Sequence, residues 1–147
     1  MEELKQLIRT VPDFPKPGIG FKDITTLLKN GNAFKKVIDL MANQHNPDDI
    51  DVVVGIESRG FIFAAALAYK WSKGFVPVRK PGKLPAKAIK EEYELEYGTD
   101  SIEMHVDAIQ PNQRVLIIDD LLATGGTVAA TTRLVEQLTG KLPGLDF

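Results

Sequence analysis

Apolar residues fall along the chain in two rhythms, one near the helical repeat and one of short runs rich in β-branched residues. Leu4, Leu7, Ile8 and Val11 recur at helical spacing and predict an amphipathic N-terminal helix that stops at Pro12, whose ring and missing N–H cannot continue it. Residues 13–23 hold two prolines and two glycines, too many breakers for a regular element, so they read as a loop. That loop also carries Phe14 and Phe21, which a plain linker would not need. Ala33, Phe34, Val37, Ile38 and Met41 mark a second helix ending near His45. A buried strand follows at 51–56, and Glu57-Ser-Arg-Gly60 turns it into a helix whose apolar face is Phe61 to Ala68. Residues 75–79 form a further strand, and Pro77 assigns it to an edge or a bulge.

The period then changes. Tyr93, Leu95 and Tyr97 alternate with polar residues, as do Ile102, Met104 and Val106 beyond Gly98-Thr99-Asp100, which describes a flap-like hairpin rather than a crossover. Val115 to Ile118 reads as another buried strand, and residues 127–138 as a helix with Val128, Val135 and Leu138 on one face. Strands alternating with helices predict an α/β fold with a parallel twisted sheet flanked by helices and one antiparallel excursion.

Composition narrows the function. A chain of 147 residues, 44% of them apolar, has material for one domain with one core. The net charge of −2 argues against nucleic-acid partners, which require a basic surface. With zero cysteines there are no disulfides and no thiolate chemistry, which fits a reducing compartment. The longest apolar run, Phe61 to Ala68, is too short to span a bilayer, and Met1-Glu-Glu-Leu-Lys5 is not a signal peptide, so the expectation is a soluble cytoplasmic protein without a membrane partner. Neither G-x-x-x-x-G-K-[ST] nor G-x-G-x-x-G occurs, which removes the main support for nucleoside-triphosphate and dinucleotide folds. His45 and His105 have no partner pattern and read as surface residues.

The candidate chemistry lies after the strand at Val115. Asp119 and Asp120 fall where a parallel strand ends, the edge at which open α/β sheets collect ligands. The loop Ala123-Thr124-Gly125-Gly126-Thr127 has little side-chain bulk, so its backbone N–H groups can close around an anion at the positive end of the next helix. Ser58 and Arg59 also follow a strand and open a helix, and a guanidinium there can pair in bidentate fashion with a phosphate oxygen. Arg79, Lys80 and Lys83 put three cations within five residues, and Pro81, Gly82 and Pro85 keep that backbone out of a helix.

In this order the acidic pair and its small-residue loop resemble the phosphoribosyl-pyrophosphate (PRPP) signature of the type I phosphoribosyltransferases. Pro12 to Gly18, Phe21 to Ile24, Glu57 to Phe61, Arg79 to Pro85 and Leu95-Glu-Tyr-Gly98 are similar, in their order, to motifs of the family's adenine-directed branch, over about residues 4 to 138. The resemblance implies transfer of 5-phosphoribosyl from PRPP to adenine, giving AMP and diphosphate. It implies PRPP binding by Ser58, Arg59, Arg79, Lys80, Lys83, Asp119, Asp120, Ala123, Thr124, Gly125, Gly126 and Thr127. Adenine would be held by Gly20, Phe21 and Lys22, through a ring face and a main chain that glycine lets approach closely. Glu96 would come to the base with the flap and take its proton, making Glu96, Asp119 and Asp120 the catalytic set. Mg²⁺ would arrive with the substrate's own oxygens and be held through water near Asp119 and Asp120, with no direct protein ligand. A homodimer is implied as well.

The same resemblance divides the single domain into a base-binding segment 1–30, a core 31–138 and an atypical tail 139–147. Family members continue past the last helix through another strand, a segment over the base and a final loop and strand, whereas this chain reads Thr139-Gly-Lys-Leu-Pro-Gly-Leu-Asp-Phe147. Pro143 and Gly144 interrupt what should be a buried strand, so the expectation is a truncated last strand, absent or reduced to a fragment, and an altered carboxy terminus. That leaves two alternatives open: a non-catalytic or weakly active PRPP-binding module, and a phosphoribosyltransferase for another purine.

Overall fold

The computed structural model describes residues 2–18, 20–95, 97–119 and 126–146, without the side chains of Glu2, Phe21 and residues 144–146. Two compact units divide the chain at residues 44 and 45.

In the first unit the N-terminal helix is a single turn, α1 (Glu2–Lys5), and the chain then becomes extended as β1 (Arg9–Val11). β1 pairs antiparallel with β2 (Phe21–Asp23), Arg9 opposite Asp23, with Arg9 Nε donating to the Asp23 carboxylate at 2.5 Å. The sequence pattern predicted helix as far as Val11; a residue before proline is pushed out of the helical region, and the cross-strand ion pair draws the same segment into a ladder. The apolar residues behind that periodicity still share a cluster: Leu4 is buried with Leu27 and Ala33, and Leu7 and Ile8 pack against them. After the short α2 (Thr25–Leu28), Asn30 caps α3 (Gly31–Asn43), its side-chain oxygen accepting from Ala33 N at 3.1 Å.

The second unit is built on a four-stranded parallel sheet. Its members are β3 (Val52–Ile56), β4 (Gly74–Val78), β7 (Arg114–Ile118) and β8 (Lys141–Asp146), in the order β4-β3-β7-β8. The central β3 and β7 are apolar at nearly every position because both faces are covered. β4 lies at an edge, where Pro77 leaves no interior ladder bond unmade. The helices α4 (Arg59–Trp71) and α5 (Gly126–Gln137) follow β3 and β7, so both begin at the C-terminal edge of the sheet.

Between β4 and β7 the hairpin of β5 (Ala88–Leu95) and β6 (Gly98–His105) is as expected, but its turn is not where the glycine suggested. The ladder runs to the pair Leu95 and Gly98, so Gly98, Thr99 and Asp100 belong to β6. Tyr93, Ile102 and Met104 are buried in the main core with Val54, Val78, Val115 and Leu134. Leu95 and Tyr97 extend past that core and are exposed. Arg133 and Gln137 of α5 hold Glu91 of β5, which ties the hairpin to the helix.

The last strand is interrupted less than the sequence suggested. The strand spans six residues, Lys141–Asp146, of which Lys141, Gly144, Leu145 and Asp146 pair parallel with β7, and the register slips between Arg114 and Leu116, opposite Leu142 and Pro143. A proline at a bulge on an edge strand forfeits no regular ladder bond, which is why the strand forms around it.

Candidate active site

Three segments leave the C-terminal edge of the sheet side by side. Because Gly55 pairs with Ile118 and Ile56 with Val78, the residues after β3, β4 and β7 emerge together: Glu57-Ser58-Arg59, Arg79-Lys80 and Asp119. Two glycines set how tightly this edge closes. A Cβ on Gly55 would stand 2.7 Å from that of Ala64, and one on Gly60 would stand 2.8 Å from the carbonyl oxygen of Ile118. Only glycine therefore lets the first turn of α4 press onto the ends of β3 and β7.

Asp119 is 8% exposed, one of two buried polar side chains among the described residues. Thr127, in the first turn of α5, donates from Oγ1 to Asp119 Oδ2 at 3.4 Å. This buried carboxylate faces the positive end of α5 beside the start of α4, where a polar ligand carrying both hydroxyls and phosphate would find complementary groups.

The cations after β4 are held by carboxylates. Glu57, 13% exposed in its side chain, accepts from Lys80 N at 2.9 Å, from Arg79 Nε at 3.3 Å and from Lys83 Nζ. Burial pushes the Glu57 carboxyl up, but the Lys83 ammonium, the Lys80 amide and the Arg79 guanidinium together outweigh it and hold the group below its ordinary value. Lys80 reaches the hairpin, donating to Asp100 Oδ2 at 2.7 Å and to the Tyr93 hydroxyl. Burial works against its charge, yet the bonds to Asp100 and Tyr93 raise its pKa above the usual lysine value. Glu103 completes the frame, exchanging backbone bonds with Arg79 and accepting from Gly82 N at 3.0 Å. The Arg79 guanidinium also lies 5.9 Å from the Phe61 ring centre.

Of the residues singled out in the sequence, Ser58, Arg59, Arg79, Lys80, Lys83, Asp119, Gly126 and Thr127 gather at this edge of the second unit. Glu96, Asp120, Ala123, Thr124 and Gly125 lie outside the described residues. Gly20 and Lys22 belong to the first unit, flanking the backbone of Phe21 in β2; Lys22 Nζ donates to Thr10 Oγ1 at 2.9 Å. Local sequence pattern does not reveal Glu57, Asp100 and Glu103, the carboxylates that hold the segment 79–83 and its cations. The one available signal was a glutamate directly ahead of Ser58-Arg59. Neither histidine joins the site: His45 meets the Trp71 ring edge-on, and His105 Nε2 accepts from Ala86 N.

The sequence profile of the phosphoribosyl transferase domain matches residues 23–141. The chain belongs to that family, and its fold is the type I phosphoribosyltransferase fold. Its relatives narrow the branch. The adenine phosphoribosyltransferase of Acidobacterium capsulatum is 60% identical over 146 residues, covering 99% of this chain and 81% of its own length. That of Alkaliphilus metalliredigens is 60% identical, with 98% and 85% covered. Among solved structures, adenine phosphoribosyltransferase from Thermoanaerobacter pseudethanolicus superposes with a TM-score of 0.94 at 55% identity, covering 98% of this chain and 84% of that one. The Saccharomyces cerevisiae enzyme, complexed with an imino-altritol bisphosphate and adenine, gives 0.90 at 43% identity, with 99% and 88% covered.

Proposed function

We infer that the chain transfers a 5-phosphoribosyl group from PRPP to N9 of adenine, releasing diphosphate and forming AMP, a purine-salvage reaction. The observation that carries this reading is the buried Asp119 between the starts of α4 and α5, in a chain 60% identical over nearly its whole length to adenine phosphoribosyltransferases. The bond from N9 to the anomeric carbon forms as the bond from that carbon to the diphosphate oxygen breaks. Positive charge grows on the sugar in between, and carboxylates at Asp119 and Asp120 beneath the ring stabilise it more than they stabilise the bound substrate.

The amides of Ala123 to Thr127 take the 5′-phosphate, and Ser58, Arg59, Arg79, Lys80 and Lys83 take the diphosphate. Gly20, Phe21 and Lys22 hold the purine, and Glu96 accepts the proton that N9 loses. Asp119 and Asp120, whose hard carboxylate oxygens suit a Mg²⁺ water shell, would hold through water an ion arriving with PRPP, which would supply charge neutralisation to the diphosphate. The substrates are small metabolites, which supports a cytoplasmic setting. No helix among the described residues is long and apolar enough to cross a membrane. A homodimer completes the reading. In its support, Ile62, Ala65 and Tyr69 leave an exposed apolar stripe along α4, with Tyr69 89% exposed. Sedimentation equilibrium at twice the chain mass checks that assembly.

The experiment that tests the activity is diphosphate release with PRPP, Mg²⁺ and a panel of purines. Adenine alone should support turnover. Release with guanine or hypoxanthine instead would reassign the base, and tight PRPP binding without release on any base would make the chain a binding module.

A further inference from the structure

A carboxylate at the edge where a polyanion must bind is electrostatically out of place unless it has other work. Glu57 sits directly before Ser58 and Arg59, and its two oxygens divide the loop after β4 between them. Oε1 accepts from the Lys80 amide and from Arg79 Nε, and Oε2 takes the Lys83 ammonium. These partners are 22 to 26 residues away in sequence, so the contacts fix a loop onto the end of a different strand. Without a counter-charge, Arg79, Lys80 and Lys83 would repel one another within five residues.

We propose that Glu57 is a positioning residue for the transfer reaction: it holds the loop 79–83 so that Arg79 and Lys83 stand where the diphosphate of PRPP arrives. The proposal rests on the reading of those cations as the diphosphate-binding set. Two effects oppose each other when the carboxylate is removed. Losing a negative charge makes the edge more attractive to an anion, but Arg79 and Lys83 are partly exposed and solvent screens that gain. Losing the anchor frees a loop that must be ordered again with each substrate, and that cost is not screened. The second effect wins, so removing Glu57 weakens diphosphate binding rather than strengthening it. Glu57→Gln isolates the Lys83 arm. The amide oxygen still accepts from the Lys80 amide, while the amide nitrogen turns a donor toward the lysine.

The test is a double-mutant cycle on the full chain with Glu57→Gln, Lys83→Ala and the pair. KM for PRPP and the Kd of inorganic diphosphate with Mg²⁺ by calorimetry are the readouts, and the melting temperature is the control. Glu57→Gln should raise both constants about tenfold while kcat moves by less than about threefold. Lys83→Ala should do the same, and the pair should be no worse than Lys83→Ala alone, because one residue acts through the other. Losses that add, unchanged constants in Glu57→Gln, or a fall in kcat alone would overturn the role of Glu57 while leaving the cation reading in place. Unchanged constants in Lys83→Ala would instead remove the cation reading, and the proposal with it. If Glu57→Gln does not fold, Glu57→Asp enters the same cycle. It keeps the charge but withdraws it by one methylene, and the same non-additive pattern is expected.

Discussion

At the scale of single residues, the proposed reaction divides the site into groups that would face substrate and groups that would aim them. The proposed reaction assigns Asp119 to the first kind: its burial at the end of β7 would strengthen an interaction with charge developing on a bound sugar. Asp119→Asn keeps the shape and the acceptor for Thr127 but removes the charge. It should lower kcat by about 10²-fold or more, the usual loss when one preorganised electrostatic group is removed, with little change in melting temperature. A folded variant with undiminished kcat would refute the role. Ser58, Arg59 and Asp119 were legible as candidates because each sits at a strand end before a helix, a position that pattern alone reveals. The aiming residues were not. Glu57, Asp100 and Glu103 matter through partners 20 or more residues away, and no local spacing encodes such pairings.

At the scale of elements, the helices α3, α4 and α5 and the strands β3, β4 and β7 were readable because each carries a single-period apolar pattern. The errors fell on short segments decided by tertiary contacts: β1 and β2, which form by pairing with each other, and β8, which absorbs Pro143 by slipping register. The junction of α4 with the sheet was invisible too, since nothing in a sequence says what a glycine lies against. It yields a prediction in which two effects compete. Placing alanine at a helical glycine ordinarily gains about 0.5–1 kcal/mol. At Gly60 the new Cβ would meet a backbone carbonyl at 2.8 Å, which cannot turn aside as a side chain would, and overpacking of that kind costs about 1–3 kcal/mol. Gly60→Ala should therefore lower the melting temperature, and by moving Ser58 and Arg59 it should raise KM for PRPP. A raised melting temperature would mean that the helix start yields without cost.

At the scale of the whole molecule, each of the two units contains an acidic clasp of the same kind. In the first, hydrogen bonds from the Thr25 hydroxyl, the Thr25 amide and Arg9 hold the Asp23 carboxyl at about 2 against an ordinary 3.8. In the second, Arg114 binds Asp51 through Nε, a terminal nitrogen and its backbone amide, joining the starts of β3 and β7 at the sheet edge opposite the site. Asp51 is likewise held at about 2, chiefly by Arg114. A folded pKa below the unfolded one means that stability is present above about pH 4 and is lost as pH falls toward the folded value near 2. Asp51→Asn and Asp23→Asn should thus each melt below the parent at pH 7, and the gap should close as the pH approaches 2, where the parent's own carboxylates are protonated. Because the residues lie in different units and share no partner, the two losses should add in the double variant. Melting curves from pH 7 to pH 2 check both points. A gap that stays constant across that range would mean that the clasps act through shape and neutral hydrogen bonds, and the charges at Arg9 and Arg114 would have no part in them.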